Sequence, residues 1–459
     1  MVLCATVRQV LGVAVGKPNT SYGMPGLRVG DLPKAFMAMA FFNFVVGVVL
    51  GGVMAVSPTQ WGMLAPIHAE LNPFGWLTLL IYGMTYAVLG LFAGLRLPKP
   101  LVGWIQLALA ELGVVLIIVG IMANSNAISI IGFACQTIAP LVFLANVMMA
   151  VMTAHKGKRT NASRSVEKES PFVGEKVSIG IAKDLLDTRF FTKPDGIRKT
   201  DRIAERGTSF ALMMFIVGAI WEFILRLLGQ VPEPAALTPT TVLVYYGWIV
   251  GTVLSVSLHL VPRYVKSAVI TSRQAATGQW LWLIGTVVTA AGSLISPILQ
   301  RVGIAVLGIS MIVYAVSYLW VMRRAMRGVV LASAVSWWAS WLFALALGIS
   351  LLFGLDPTSL IALHLLFLGF ITTLVYGIGY TFFPALFNRT VPSHAVSVLQ
   401  VSLSLIGALL MVLAFSDLQS GNAQSALPFL AVGGTLAAIG ALYFLLQWLF
   451  GRKEANHDF

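Results

Sequence analysis

The sequence predicts an all-α integral membrane protein with twelve transmembrane helices. Three observations carry this reading: the composition, the spacing of the apolar runs, and the distribution of lysine and arginine. Of 459 residues, 58% are hydrophobic and 10% charged, where water-soluble domains carry about 25% charged residues. That balance excludes a soluble enzyme, a nucleic-acid reader and a disordered chain. Two cysteines, Cys4 and Cys135, lie far apart, so no disulfide framework, zinc cluster or covalent haem motif is available. The apolar stretch from Val10 to Val15 is too short for a cleavable signal peptide, and Arg8 interrupts its approach.

Apolar runs long enough to span, roughly 20 residues, start near positions 35, 66, 101, 127, 207, 241, 277, 302, 329, 358, 395 and 426. Turn residues and charge separate them, as in Arg96 to Pro100 and Asn388 to Pro392. Helices are expected because backbone amides in lipid must be satisfied within the segment. The expected organisation is a cytoplasmic segment 1–34, crossings one to four in 35–153, a basic loop 154–206, crossings five to twelve in 207–450, and a tail 451–459.

The basic residues test the count independently. With both termini and every second loop on one side, that side holds 28 of the 30 lysines and arginines. Only Arg226 and Arg301 lie opposite. Both termini are therefore expected in the cytoplasm of a bacterial-type inner membrane, and the net charge of +13 reflects topology rather than a nucleic-acid partner. The 154–206 loop carries thirteen basic and eight acidic residues. Within it Val177, Ile181, Leu185, Leu186 and Phe190 offer an amphipathic segment for the inner leaflet, with a plain solvated linker as the alternative. No nucleotide-binding glycine loop occurs.

Three segments repeat. In the second crossing Gly75-Trp76 precedes Tyr82-Gly83-x-x-Tyr86, and in the tenth Gly369-Phe370 precedes Tyr376-Gly377-x-x-Tyr380 at the same spacing. The sixth is a looser copy, with Gly247-Trp248 ahead of Pro262 as Gly369 is ahead of Pro384. Copies four crossings apart imply three four-helix arcs. Small residues such as Gly75 and Gly369 either let helices approach or leave room for a flat ligand.

Of six histidines, His155, His394 and His457 read as solvated surface. His68, His259 and His364 lie in or beside apolar segments, where ionisable groups are costly and usually functional. His68 opens the second crossing and His364 the tenth, both near the outer face. Two imidazoles from different helices can take both axial positions of an iron porphyrin, against the alternative of two unrelated interfacial contacts. His259 lies roughly 25 Å deeper and cannot share that ligand. With Pro262 and Arg263 beside it, it reads as an interfacial cap or a contact for a lipid or quinone head group.

These residues resemble subunit I of the haem-copper oxidase superfamily, closest to its cbb-type oxidase and nitric oxide reductase branches and to NnrS-like proteins. The resemblance implies one low-spin haem b held by His68 and His364. It also exposes departures. The first histidine of the family's His-x-His motif is Ala362 here, Tyr246-Gly247 is followed by Trp248 where a copper-ligating histidine is expected, and no histidine lies between His259 and His364. No copper is therefore expected, and oxygen or nitric oxide reduction in the family's manner is not.

The implied function is a membrane b-type cytochrome, a non-catalytic electron-transfer subunit of a respiratory oxidoreductase complex. Its expected partners are membrane lipid, other redox subunits, a periplasmic cytochrome or oxidoreductase, and a quinone. Arg226 and Arg301 are the propionate candidates, against simple interfacial snorkelling, and Glu70 faces either Arg226 or solvent. The alternatives are a haem-based nitric oxide response protein of the NnrS kind and a secondary transporter without haem, for which Glu111 would be the main ionisable group at mid-membrane.

Overall fold

The computed structural model describes residues 30–91, 99–162, 199–230, 238–264, 270–325, 330–387, 389–390 and 392–450. The amphipathic segment expected between Val177 and Phe190 lies outside them, as does His457. Among the described residues the chain is all-helical. We label the long helical stretches α1 (Asp31–Val56), α2, α3 (Pro100–Met122), α4 (Asn126–Ala162), α5 (Lys199–Leu227), α6, α7 (Ser272–Ile295), α8 (Pro297–Ala325), α9 (Leu331–Leu352), α10, α11 (His394–Gln419) and α12 (Ala423–Phe450). Three of these are composite. α2 joins Trp61–Glu70, Leu71–Thr78 and Leu79–Leu91; α6 joins Pro239–Thr241, Val242–Val250 and Gly251–Tyr264; α10 joins Leu360–Leu363, His364–Thr372 and Thr373–Phe387.

Among the described residues eleven helices are long and apolar enough to cross a membrane, which makes this an all-α integral membrane protein. The stretch not among them is α2. It is helical over its whole length, and its polar residues His68, Glu70 and Asn72 fall within two turns near its start. Large apolar side chains such as Phe42, Trp104, Val217 and Leu413 are exposed on the helix surfaces, as expected of a surface solvated by lipid rather than water.

The middle section of each composite helix is π-helical: Leu71–Thr78, Val242–Val250 and His364–Thr372. These are the three segments that repeat in sequence. Each section ends three residues after the glycine of its Gly-aromatic pair, at Thr78, Val250 and Thr372. A π turn holds an extra residue, so it frees backbone carbonyls and is usually found where function offsets its cost. Here side chains take up the freed acceptors. Thr78 Oγ1 donates to Pro73 O at 2.7 Å, and its counterpart Thr372 to Phe367 O at 2.6 Å. Asn43 Nδ2 of α1 donates to Gly75 O at 3.0 Å, and Trp282 Nε1 of α7 to Tyr246 O at 2.7 Å.

Packing repeats with the same period. The aromatic after each glycine meets an aromatic on the preceding helix: Trp76 stacks on Phe44 of α1 with centroids 3.9 Å apart, Trp248 on Phe215 of α5 at 5.2 Å, and Phe370 leans on Trp341 of α9 at 5.1 Å. α3 pairs with α4, α7 with α8 and α11 with α12 as close hairpins; α4 meets α5, α8 meets α9, and α12 returns to α1. Glycines permit the hairpin approach: a Cβ on Gly113 would lie 3.1 Å from Gly132 O, and one on Gly407 would lie 2.7 Å from Gly433 O.

Buried polar clusters repeat as well, at the ends of α2, α6 and α10 away from the π sections. Tyr86 OH donates to Gln106 Oε1 at 2.5 Å and accepts from Asn146 Nδ2 at 3.1 Å. Tyr380 OH lies 2.9 Å from Gln400 Oε1 and 3.2 Å from Gln447 Oε1. Between them, Tyr314 OH donates to Gln279 Oε1 at 2.7 Å while Gln279 Nε2 donates to Ser255 Oγ at 3.3 Å. In apolar surroundings an unmade bond of this kind costs a large part of the group's desolvation, so these clusters fix helix register.

Candidate functional site

His68 lies three residues before the π section of α2, and His364 is the first residue of the π section of α10. Their ring nitrogens are engaged alike. His68 Nδ1 lies 2.8 Å from Gly47 O of α1, and His364 Nδ1 lies 2.7 Å from Leu360 O one turn earlier on its own helix. A carbonyl only accepts, so each Nδ1 carries the proton and each Nε2 keeps its lone pair. This is the arrangement found behind nearly all metal-ligating histidines, whose second nitrogen donates to a carbonyl or carboxylate that fixes tautomer and ring orientation. Both rings are half-buried.

Several flanking residues carried no separate signal in the sequence. A Cβ on Gly51 would stand 2.9 Å from His68 Cε1, so this glycine of α1 makes room for the ring. Phe415 of α11 packs on the His364 ring with centroids 4.4 Å apart. An apolar cluster of Ala55, Met411, Ala414, Phe415, Leu430 and Ala437 adjoins it, with Ile361 and Leu368 of α10 packed against that cluster. Gly75 and Gly369 face protein: their Cβ positions would meet Asn43 at 3.0 Å and Phe343 at 2.5 Å.

The repeat places the histidines in different registers. His68 precedes Gly75 by seven residues, whereas His364 precedes Gly369 by five. The repeat counterpart of His364 is therefore Glu70, and that of His68 is Ala362. Glu70 is buried and accepts a short hydrogen bond from Gln136 Nε2 of α4. It belongs to a cluster with Glu222 and Arg226 of α5 and Tyr245 of α6. Arg226 Nε bonds Glu222 Oε1 at 2.7 Å, and its guanidinium lies 4.7 Å from the centre of the Phe133 ring. Arg226 thus has a carboxylate partner one turn away on its own helix, a pairing visible as an i, i+4 spacing. Arg301 is exposed near the start of α8.

No family model matches the chain, and neither does any curated protein.

The remaining predicted residues separate from this site. His259 lies on α6 beyond the π section, its Nδ1 3.1 Å from Asp201 Oδ1 at the start of α5. His394 is exposed at the first turn of α11. Glu111 accepts a bond of 2.9 Å from Asn43 Nδ2, the amide that also holds Gly75 O. Among the described residues no group of three or more His, Cys, Asp or Glu could hold a metal ion.

Proposed function

We propose that the chain is a membrane b-type cytochrome in which His68 and His364 hold one haem near the outer face. It would pass electrons between a periplasmic or quinone partner and another redox subunit. The observation that carries this reading is the matched pair of imidazoles, each with Nδ1 spent on a backbone carbonyl and Nε2 left free. The surroundings fit a porphyrin in kind: the space kept by Gly51, the ring of Phe415 and the apolar cluster of α1, α10, α11 and α12 supply clearance and apolar walls. When bound, the haem held by His68 and His364 would supply one-electron chemistry suited to outer-sphere transfer. The protein's part is to fix ring orientation through Gly47 O and Leu360 O and to exclude water.

The same reading takes α2 as a twelfth crossing, with three four-helix arcs, α1–α4, α5–α8 and α9–α12, closed where α12 meets α1. It places both termini in the cytoplasm of a bacterial-type inner membrane. The threefold recurrence of π sections, aromatic stacks and polar clusters supports it, and so does the resemblance to the haem-copper oxidase superfamily. The test is a reduced-minus-oxidised spectrum of the purified protein. A bis-imidazole b-type signal lost in His68→Ala and in His364→Ala supports the reading; a signal retained in both rejects it. If the reduced signal shifts with carbon monoxide or nitric oxide, one histidine is displaceable and gas binding replaces electron transfer as the role. Transport by haem-free protein in liposomes would reassign the chain altogether.

A further inference from the structure

The π section of α6 carries neither histidine nor carboxylate, yet it bonds to α2 and to the connection that leads into α10. Trp248 Nε1 donates to Thr78 Oγ1, 3.0 Å away at the end of the α2 π section, and Thr78 itself donates to Pro73 O. Two residues earlier, Tyr246 OH donates at 2.8 Å to Pro357 O in the connection that leads into α10. That connection is bonded onward to His364. Asp356 Oδ1 accepts from Thr358 N and Oγ1, Ser359 Oγ donates to Asp356 O, and Ser359 caps α10 by accepting from Ala362 N. One residue past the cap, Leu360 O accepts from His364 Nδ1.

The section is itself held rigid. Tyr246 is fully buried and Trp248 nearly so. Trp282 Nε1 of α7 bonds Tyr246 O, and Phe215 of α5 stacks on Trp248 within 10° of parallel. Its two outward bonds therefore start from a fixed platform and end on α2 and on the connection into α10.

We propose that the α6 π section is a clamp that sets the separation and tilt of His68 and His364, with Tyr246 and Trp248 as its two positioning residues. The proposal rests on the haem reading for its spectroscopic consequence, but not for its geometry. Loss of either bond releases one histidine helix from α6, although its bonds to other helices remain, and the pair then samples a wider range of separations.

Two measurements test this. The first is the low-spin haem signature and midpoint potential of wild type, Tyr246→Phe, Thr78→Val and Thr78→Ser. The second is the distance distribution between spin labels at Met63→Cys and Leu360→Cys, both exposed positions on α2 and α10, in protein lacking Cys4 and Cys135. Tyr380→Phe, which loses an equally buried hydroxyl at the far end of α10, is the control for general destabilisation. The clamp predicts that Tyr246→Phe and Thr78→Val shift the signature and broaden the distances, while Thr78→Ser and Tyr380→Phe do neither. Haem present with signature and distances unchanged in both clamp variants overturns the clamp and leaves the haem assignment standing. Haem absent from wild type overturns the assignment, and the label distances then decide the clamp alone.

Discussion

Gly51 shows how little tolerance surrounds the His68 ring. A methyl group there would come within 2.9 Å of Cε1, closer than carbon atoms approach without displacement. Ala at this position should turn the ring off its bond to Gly47 O and cost about 1–3 kcal/mol as an overpacking defect. Gly62, eleven residues further on in α2, has open space around its Cβ position, and Ala there should be neutral or slightly stabilising. Comparing thermal unfolding and haem content of the two variants separates site geometry from helix propensity. Loss of haem in both would contradict the assignment of Gly51 to the site.

Asn43 is the second sensitive residue. One amide serves both Gly75 O and Glu111 Oε2. Asn43→Ala should destabilise the protein by about 1–3 kcal/mol, read from unfolding in detergent, because a freed carbonyl and a carboxylate lose their donor together. Both histidines were legible in the sequence because ionisable groups in apolar runs are rare and conspicuous. Asn43, Gly47, Gly51 and Phe415 were not, because a small, amide or aromatic residue in a membrane helix has many commoner uses. The Glu222–Arg226 pair is legible as an i, i+4 spacing, and it gives Arg226 a carboxylate partner beside the propionate and Glu70 roles expected of it.

Among the elements, π sections decide where the site sits. The Gly-aromatic repeat located them in sequence, but nothing in a 3.6-residue periodicity announces a single extra residue per turn. The threonines three residues after Gly75 and Gly369 were the available signal, since their hydroxyls bond the carbonyl five residues back. Helix approach is equally strict further along α10. A Cβ on Gly377 would lie 2.0 Å from Trp337 Cδ1 of α9, and no rotation of a fully buried indole accommodates that. Gly377→Ala should therefore lower the yield of folded protein sharply, where Gly421→Ala, in an open turn with φ of +83°, should cost only the backbone strain of a left-handed residue, about 1–2 kcal/mol. Fluorescence-detected size exclusion after mild heating distinguishes them.

At the scale of the molecule, segment boundaries followed from physics that sequence displays well: lipid demands apolar length, and turns carry polar residues. All the expected starts fall in or within a few residues of observed helices. α2 is not among the eleven helices found, among the described residues, long and apolar enough to span. Single-cysteine labelling settles its topology. Cysteines in the 92–98 connection should react with a membrane-impermeant reagent only after the cytoplasmic face is opened, and those at Ser57 or Thr59, on the other end of α2, should react from outside. Labelling of both ends from one side would remove α2 as a crossing and with it the three-arc arrangement.

The central claim is that two imidazoles share one iron. A pyridine haemochrome assay on purified protein, with iron and chain counted in the same sample, reads this directly. The account predicts a single b-type haem per chain, absent from His68→Ala. A purified wild-type protein that is folded, monodisperse and free of haem would contradict it.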